Sequence, residues 1–278
     1  MPASRRGLAA VSLPRRDRIA IWTGLLGVAA VSWLYLVRLA ASMDSMAPSM
    51  ADSIGESTAG AMPVDPALLL QIKPWTAADF SLMLLMWAAM MVGMMAPSAI
   101  PMTLIYAAIA RKAASQGTSL APSAVFVSGY IFMWTLFSVS ATLAQWALEQ
   151  ASLLSPTMVT TSPLLGAALL TAAGVYQLTP AKNACLEHCR APAQFISNHW
   201  RQGTWGAFRM GIHHGAYCLG CCWALMILLF FGGVMNLVWI AGIALFVLLE
   251  KVVPFGVLGG RLAGGAMILT GLALLVSL

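Results

Sequence analysis

The chain holds five cysteines, all between Cys185 and Cys222. Three of them fall in His213-His214-Gly-Ala-Tyr217-Cys218-Leu-Gly-Cys221-Cys222-Trp223. A helix turns by about 100° per residue, so His214, Cys218 and Cys221 share a stripe roughly 60° wide, with Cys222 at its edge. Thiolates suit monovalent copper or zinc, and imidazole suits copper, zinc or iron. A single buried thiol is ordinary packing. Three thiols in so short a stretch, with an imidazole one turn away, favour metal binding or redox chemistry over packing.

A second cluster reads Lys182-Asn-Ala-Cys185-Leu-Glu187-His188-Cys189-Arg190. If helical, it puts Cys185 and Cys189 on one face at a spacing of four, with His188 beside them. The alternative is a helix end with two packed thiols. A third stretch, Met83-Leu-Leu-Met86-Trp87-Ala-Ala-Met90-Met91-Val-Gly-Met94-Met95-Ala-Pro97, lines up Met83, Met86, Met90 and Met94 on one face. Methionine stripes are usually adaptable packing, yet thioethers also select monovalent copper. Both readings of the stripe stay open. The expected metal ligands are therefore Cys218, Cys221, Cys222, His214, Cys185, Cys189 and His188, joined by Met86, Met90 and Met94. The metal expected is copper, with zinc the alternative.

These residues need elements to hold them, and the composition says what kind. Of 278 residues 60% are hydrophobic and 9% charged, with a mean hydropathy of +0.84. An average soluble domain is roughly 25% charged. This excludes a soluble globular domain, a disordered chain and a nucleic-acid-binding module. It implies an all-α, polytopic helical bundle whose main partner is the lipid bilayer. The net charge of +6 sits in short clusters between apolar runs, as the positive-inside bias demands.

Seven spans are expected: 19–41, 78–110, 125–148, 164–178, 212–234, 237–249 and 261–278. Arg5, Arg6, Arg15, Arg16 and Arg18 make residues 1–18 a cytoplasmic tail. Residues 42–77 form an outer polar linker carrying Met43, Met46, Met50 and Met62. Residues 78–278 form the metal-binding membrane domain, with a cytoplasmic Cys/His segment at 182–210. Pro97 and Pro101 are expected to kink or break the second span. The run 237–249 is short for a bilayer, which needs about 20 residues. It either ends at Glu250-Lys251 as an interfacial anchor, or continues and buries both charges. Such buried charges would be functional candidates. Thiols on the cytoplasmic side stay reduced, so structural disulfides are not expected.

The wording and order of several motifs resemble a bacterial family of uncharacterised proteins described as predicted metal-binding integral membrane proteins. The likeness is carried by Met86-Trp87-Ala-Ala-Met90-Met91-Val-Gly-Met94-Met95-Ala-Pro97-Ser98, by Tyr176 to Arg190, by Gly211 to Trp223 and by Glu250-Lys251. It runs from about Ala78 to the C-terminus and leaves out the outer linker. It implies metal binding in a membrane, and names neither the metal nor a direction of transfer.

Three functions follow from these residues. The first is binding of monovalent copper in the bacterial inner membrane, for transfer across it or delivery to a copper enzyme or metal chaperone. The second is a thiol–disulfide oxidoreductase using Cys218 and Cys221, a C-x-x-C pair. The third is a non-catalytic subunit of a membrane complex. The first ranks highest because it alone gives the methionines a role, and it makes catalysis the less favoured reading.

Overall fold

The structure is a computed structural model. It describes residues 13–58, 75–117, 121–155, 158–254 and 256–277. Within 44–58 only the backbone is described, so the side chains of Met46 and Met50, and Met62 entirely, lie outside the described residues.

Ten helices make up the described chain: α1 (Arg15–Thr58), α2 (Ala77–Ser115), α3 (Ser123–Gln150), α4 (Pro163–Leu178), α5 (Pro180–Arg190), α6 (Pro192–His199), α7 (Gly203–Ile227), α8 (Leu229–Gly232), α9 (Leu237–Val252) and α10 (Gly256–Val276). Among the described residues the only strand-like pairing is an isolated bridge between Leu154 and Thr160. The all-α expectation therefore holds.

Among the described residues, five helical stretches are long and apolar enough to cross a membrane: Arg15–Met43, α2, α3, Gly203–Gly232 and α10. The bent pair α4 and α5 makes a sixth if counted as one span. The described residues thus account for five or six of the seven expected spans. The missing one is α9, whose 16 residues fall short of the roughly 20 that a bilayer requires.

Local chemistry explains the boundaries. Thr76 and Asp79 form a reciprocal capping box at the start of α2, satisfying two otherwise orphaned backbone donors. Pro97 and Pro101 lie inside α2 without breaking it, and the helix continues through both for 39 residues. At the end of α4 the chain does break. Thr179 leaves helical geometry and caps α5, whose first residue is Pro180. Proline has no N–H to continue the previous helix, and the axis turns by 63° there. Asn236 caps α9 by accepting from the Trp239 backbone N–H.

The helices pack as α1 on α2, α2 on α3, α3 on α7, α5 on α7 and α4 on α10. The α3–α7 contact is backbone-close. A Cβ added at Gly211 would run into the Phe126 carbonyl, and one at Gly129 into the Phe208 carbonyl. Two glycines thus let the backbones touch, as small residues do between helices in apolar surroundings. One core cluster contains Met86, Trp87, Met90, Met91, Met94 and Met95 of α2 together with Cys218, Cys221 and Cys222 of α7.

Candidate functional site

The break at Thr179–Pro180 turns α5 back against α7. This joins the two cysteine clusters that the sequence separates by nearly thirty residues. Cys189 of α5 packs against the core cluster that contains Cys218, Cys221 and Cys222, close enough for its thiol to interact with those of Cys218 and Cys221. Cys221 and Cys222 also each donate to the Cys218 carbonyl, both at 3.0 Å. Cys218, Cys221 and Cys222 are buried, and all five cysteines are free thiols. Cys185 lies one step aside. Its sulfur packs against Gly220, where an added Cβ would come within 2.8 Å of it.

Cys218 is the hub. Lys251 Nζ of α9 donates to its sulfur at 2.9 Å and to Ser98 Oγ of α2 at 3.3 Å. The Tyr130 hydroxyl of α3 lies 3.1 Å from the same sulfur and donates to the Met95 carbonyl at 3.1 Å. Four helices thus converge on one thiol, and an ammonium group sets positive charge against it.

Helix α9 ends at Val252, one residue past the Glu250-Lys251 pair, yet both side chains are buried within the protein, at 3% and 8% exposed. They are not each other's partners. Glu250 is paired with Lys182 of α5 and accepts a hydrogen bond from Gln177 Nε2 at 2.7 Å. Successive residues on a helix point about 100° apart. One charge therefore faces α5 and the other faces the thiols.

His214 lies on the α7 stripe beside the thiols. Its ring is stacked on Tyr130 and Phe126, at centroid distances of 5.4 and 6.0 Å, with Phe195 edge-on at 5.6 Å. It is 3% exposed, and its Nδ1 has no hydrogen-bond partner. Buried polar atoms are nearly always paired, so this nitrogen is an unpaired donor or acceptor on the helix face that carries Cys218 and Cys221.

His188 does not join this group. It stacks on Tyr217 at 4.1 Å, and its Nδ1 bonds the Ala184 carbonyl at 2.8 Å. Met86, Met90 and Met94 are fully buried in the core that also contains the α7 thiols. Among the described residues, no three His, Cys, Asp or Glu side chains are placed so that they could hold a metal ion as they stand. The thiols are gathered, but those of Cys221 and Cys222 are bonded to the Cys218 carbonyl.

Tyr130, Ser98, Lys182 and Gln177 were not legible as site residues. Tyr130, Ser98 and Gln177 are single polar residues in or at the end of apolar runs, Lys182 opens the polar 182–210 segment, and no repeat or spacing marks any of them.

The matched family bears directly on this geometry. Residues 84–274 match PpoB2, a family described as copper chaperone. The chain belongs to this copper chaperone family. The matched region contains every thiol, His214, Tyr130 and Lys251, and it begins close to where the resemblance noted above begins. Membership supports copper handling or delivery and fits the metal-binding half of that resemblance. No curated protein and no solved structure matches the chain.

Proposed function

We propose that this family member is a multi-pass protein of the bacterial inner membrane that holds monovalent copper on thiols and delivers it to a copper enzyme or carrier. The observation that carries the reading is the approach of Cys189 on α5 to Cys218 and Cys221 on α7, inside the region matched by a copper chaperone family. Thiolates are the soft ligands that monovalent copper prefers.

In this reading copper replaces the thiol protons. Cys189, Cys218, Cys221 and Cys222 exchange their present contacts for bonds to the metal. Cys221 and Cys222 give up the Cys218 carbonyl as they turn inward. His214, with its unpaired Nδ1, is the adjoining nitrogen ligand, and Cys185 is close enough to take the ion over. The buried thioethers of Met86, Met90 and Met94 line the approach as weak, exchangeable ligands. Lys251 and Tyr130 fix the Cys218 sulfur, in the way that outer partners orient metal ligands. His188, stacked on Tyr217, has no part in the thiol site.

The arginine-rich N-terminus lies in the cytoplasm by the positive-inside bias. The thiol–disulfide reading ranks lower because it leaves the methionines and the unpaired imidazole unused. The test is anaerobic loading of the purified protein with monovalent copper against a competing chelator, with metal counted by mass spectrometry. Replacing all five cysteines by serine is expected to remove the tightly held ion. Unchanged copper content and affinity in that variant would refute the thiol site.

A further inference from the structure

A second convergence of soft atoms lies at the other end of the bundle, where the 151–162 loop joins α3 to α4. Gln145 of α3 is fully buried. Its amide nitrogen donates to Glu149 Oε1 at 2.8 Å and points at two sulfurs, Met158 Sδ at 3.5 Å and Met83 Sδ at 3.6 Å. Its amide oxygen accepts from Trp87 Nε1 at 2.7 Å, and Glu149 Oε2 accepts from Trp75 Nε1 at 2.8 Å. Two thioethers and a carboxylate thus aim lone pairs at one point, which a neutral N–H group fills.

Thioethers are poor hydrogen-bond acceptors, and packing alone would as readily turn their methyl groups inward. The backbone at Met158 is held at φ +57°, a left-handed conformation that L-residues seldom adopt. The loop therefore imposes the position of this sulfur. The donor set is soft, and its single carboxylate balances one positive charge. That suits a monovalent cation of the copper class, and suits zinc or calcium poorly.

We propose that Met83, Met158 and Glu149 form a second site for monovalent copper, entered when the Gln145 amide swings aside. Met83 precedes Met95, at the thiol level, by twelve residues of α2, or about 18 Å of helix, so the two sites are separate. The neutral thioethers hold copper more weakly than the thiolates do. Cargo captured between Met83 and Met158 therefore passes downhill along α2 to the thiols. This inference rests on the copper reading above and supplies its loading point.

The experiment uses the full chain with all five cysteines replaced by serine, titrated anaerobically with monovalent copper against a chelator. One equivalent of copper is expected to remain. Adding Met83→Leu and Met158→Leu, which keep the volume, should weaken it by roughly tenfold or more. Gln145→Ala should retain it, because the amide only occupies the place of the ion. Selenomethionine labelling of the cysteine-free chain supplies a readout independent of those variants: selenium-edge absorption should show a copper neighbour. No copper in the cysteine-free chain, binding unaffected by the paired leucines, or selenium without a copper neighbour would overturn the second site. Binding by the thiols is read separately in the parent chain, so either site can fail without the other.

Discussion

At the scale of single residues, Cys218 and the atoms around it decide the chemistry. Its sulfur meets Lys251 Nζ at 2.9 Å and the Tyr130 hydroxyl at 3.1 Å. If these groups orient a copper ligand, Tyr130→Phe should weaken copper binding by roughly 10–100-fold, and Cys218→Ser by more. His188→Ala should leave affinity unchanged, because that ring stacks on Tyr217 away from the sulfurs. Chelator competition on the three variants gives the order, and equal losses for His188→Ala and Cys218→Ser would contradict it. The Lys182–Glu250 pair is a structural matter. Both residues are buried, and removing one partner of a buried pair leaves a charge uncompensated, at a cost of about 3–5 kcal/mol. Glu250→Leu should lower the melting temperature sharply, while Lys182→Met with Glu250→Leu should recover most of the loss. Thermal unfolding in detergent checks both.

At the scale of elements, the site depends on two backbone features. The first is the break at Thr179–Pro180, which brings α5 onto α7. The second is the glycine contact between α3 and α7, which carries Tyr130 to Cys218. Gly211→Leu should force the two helices apart, costing about 1–3 kcal/mol as overpacking does, and should weaken copper binding with it. Gly242 of α9 has open space where a Cβ would go, so Gly242→Ala should be neutral or slightly stabilising. Melting curves and copper titrations of this pair separate a contact effect from a general glycine effect.

Much of this level was legible in the sequence. The α7 face of His214, Cys218 and Cys221, the helical spacing of Cys185 and Cys189, and the core stripe of α2 follow from helical period alone. The bend that joins α5 to α7 was not, because a Thr-Pro pair signals a boundary but not the direction the chain takes after it. Glu250-Lys251 looked like one unit because the residues are adjacent. Their separate partners are set by the packing of α5, α2 and α7 around α9, which no local pattern encodes. The shortness of α9 was legible too: the apolar run 237–249 is already below a full span, and its 16 helical residues remain so.

At the scale of the whole molecule, the two ends of the bundle carry different chemistry. Thiols, an ammonium group and an unpaired imidazole gather near α5, whereas thioethers and a carboxylate gather at the 151–162 loop. Thiols must lose protons to bind metal, so copper uptake should release protons and weaken as the pH falls. A weakly buffered titration followed by electrode should show proton release in step with copper bound. Uptake that is independent of pH would point away from thiol ligands.

The central claim is that the gathered cysteines hold the copper, and ultraviolet absorption tests it most directly. Titrating the purified protein anaerobically with monovalent copper should raise a thiolate-to-copper charge-transfer band that saturates with the tightly held ion. The band should be absent when the five cysteines are replaced by serine. Tight copper binding by the parent chain with no such band would contradict the account.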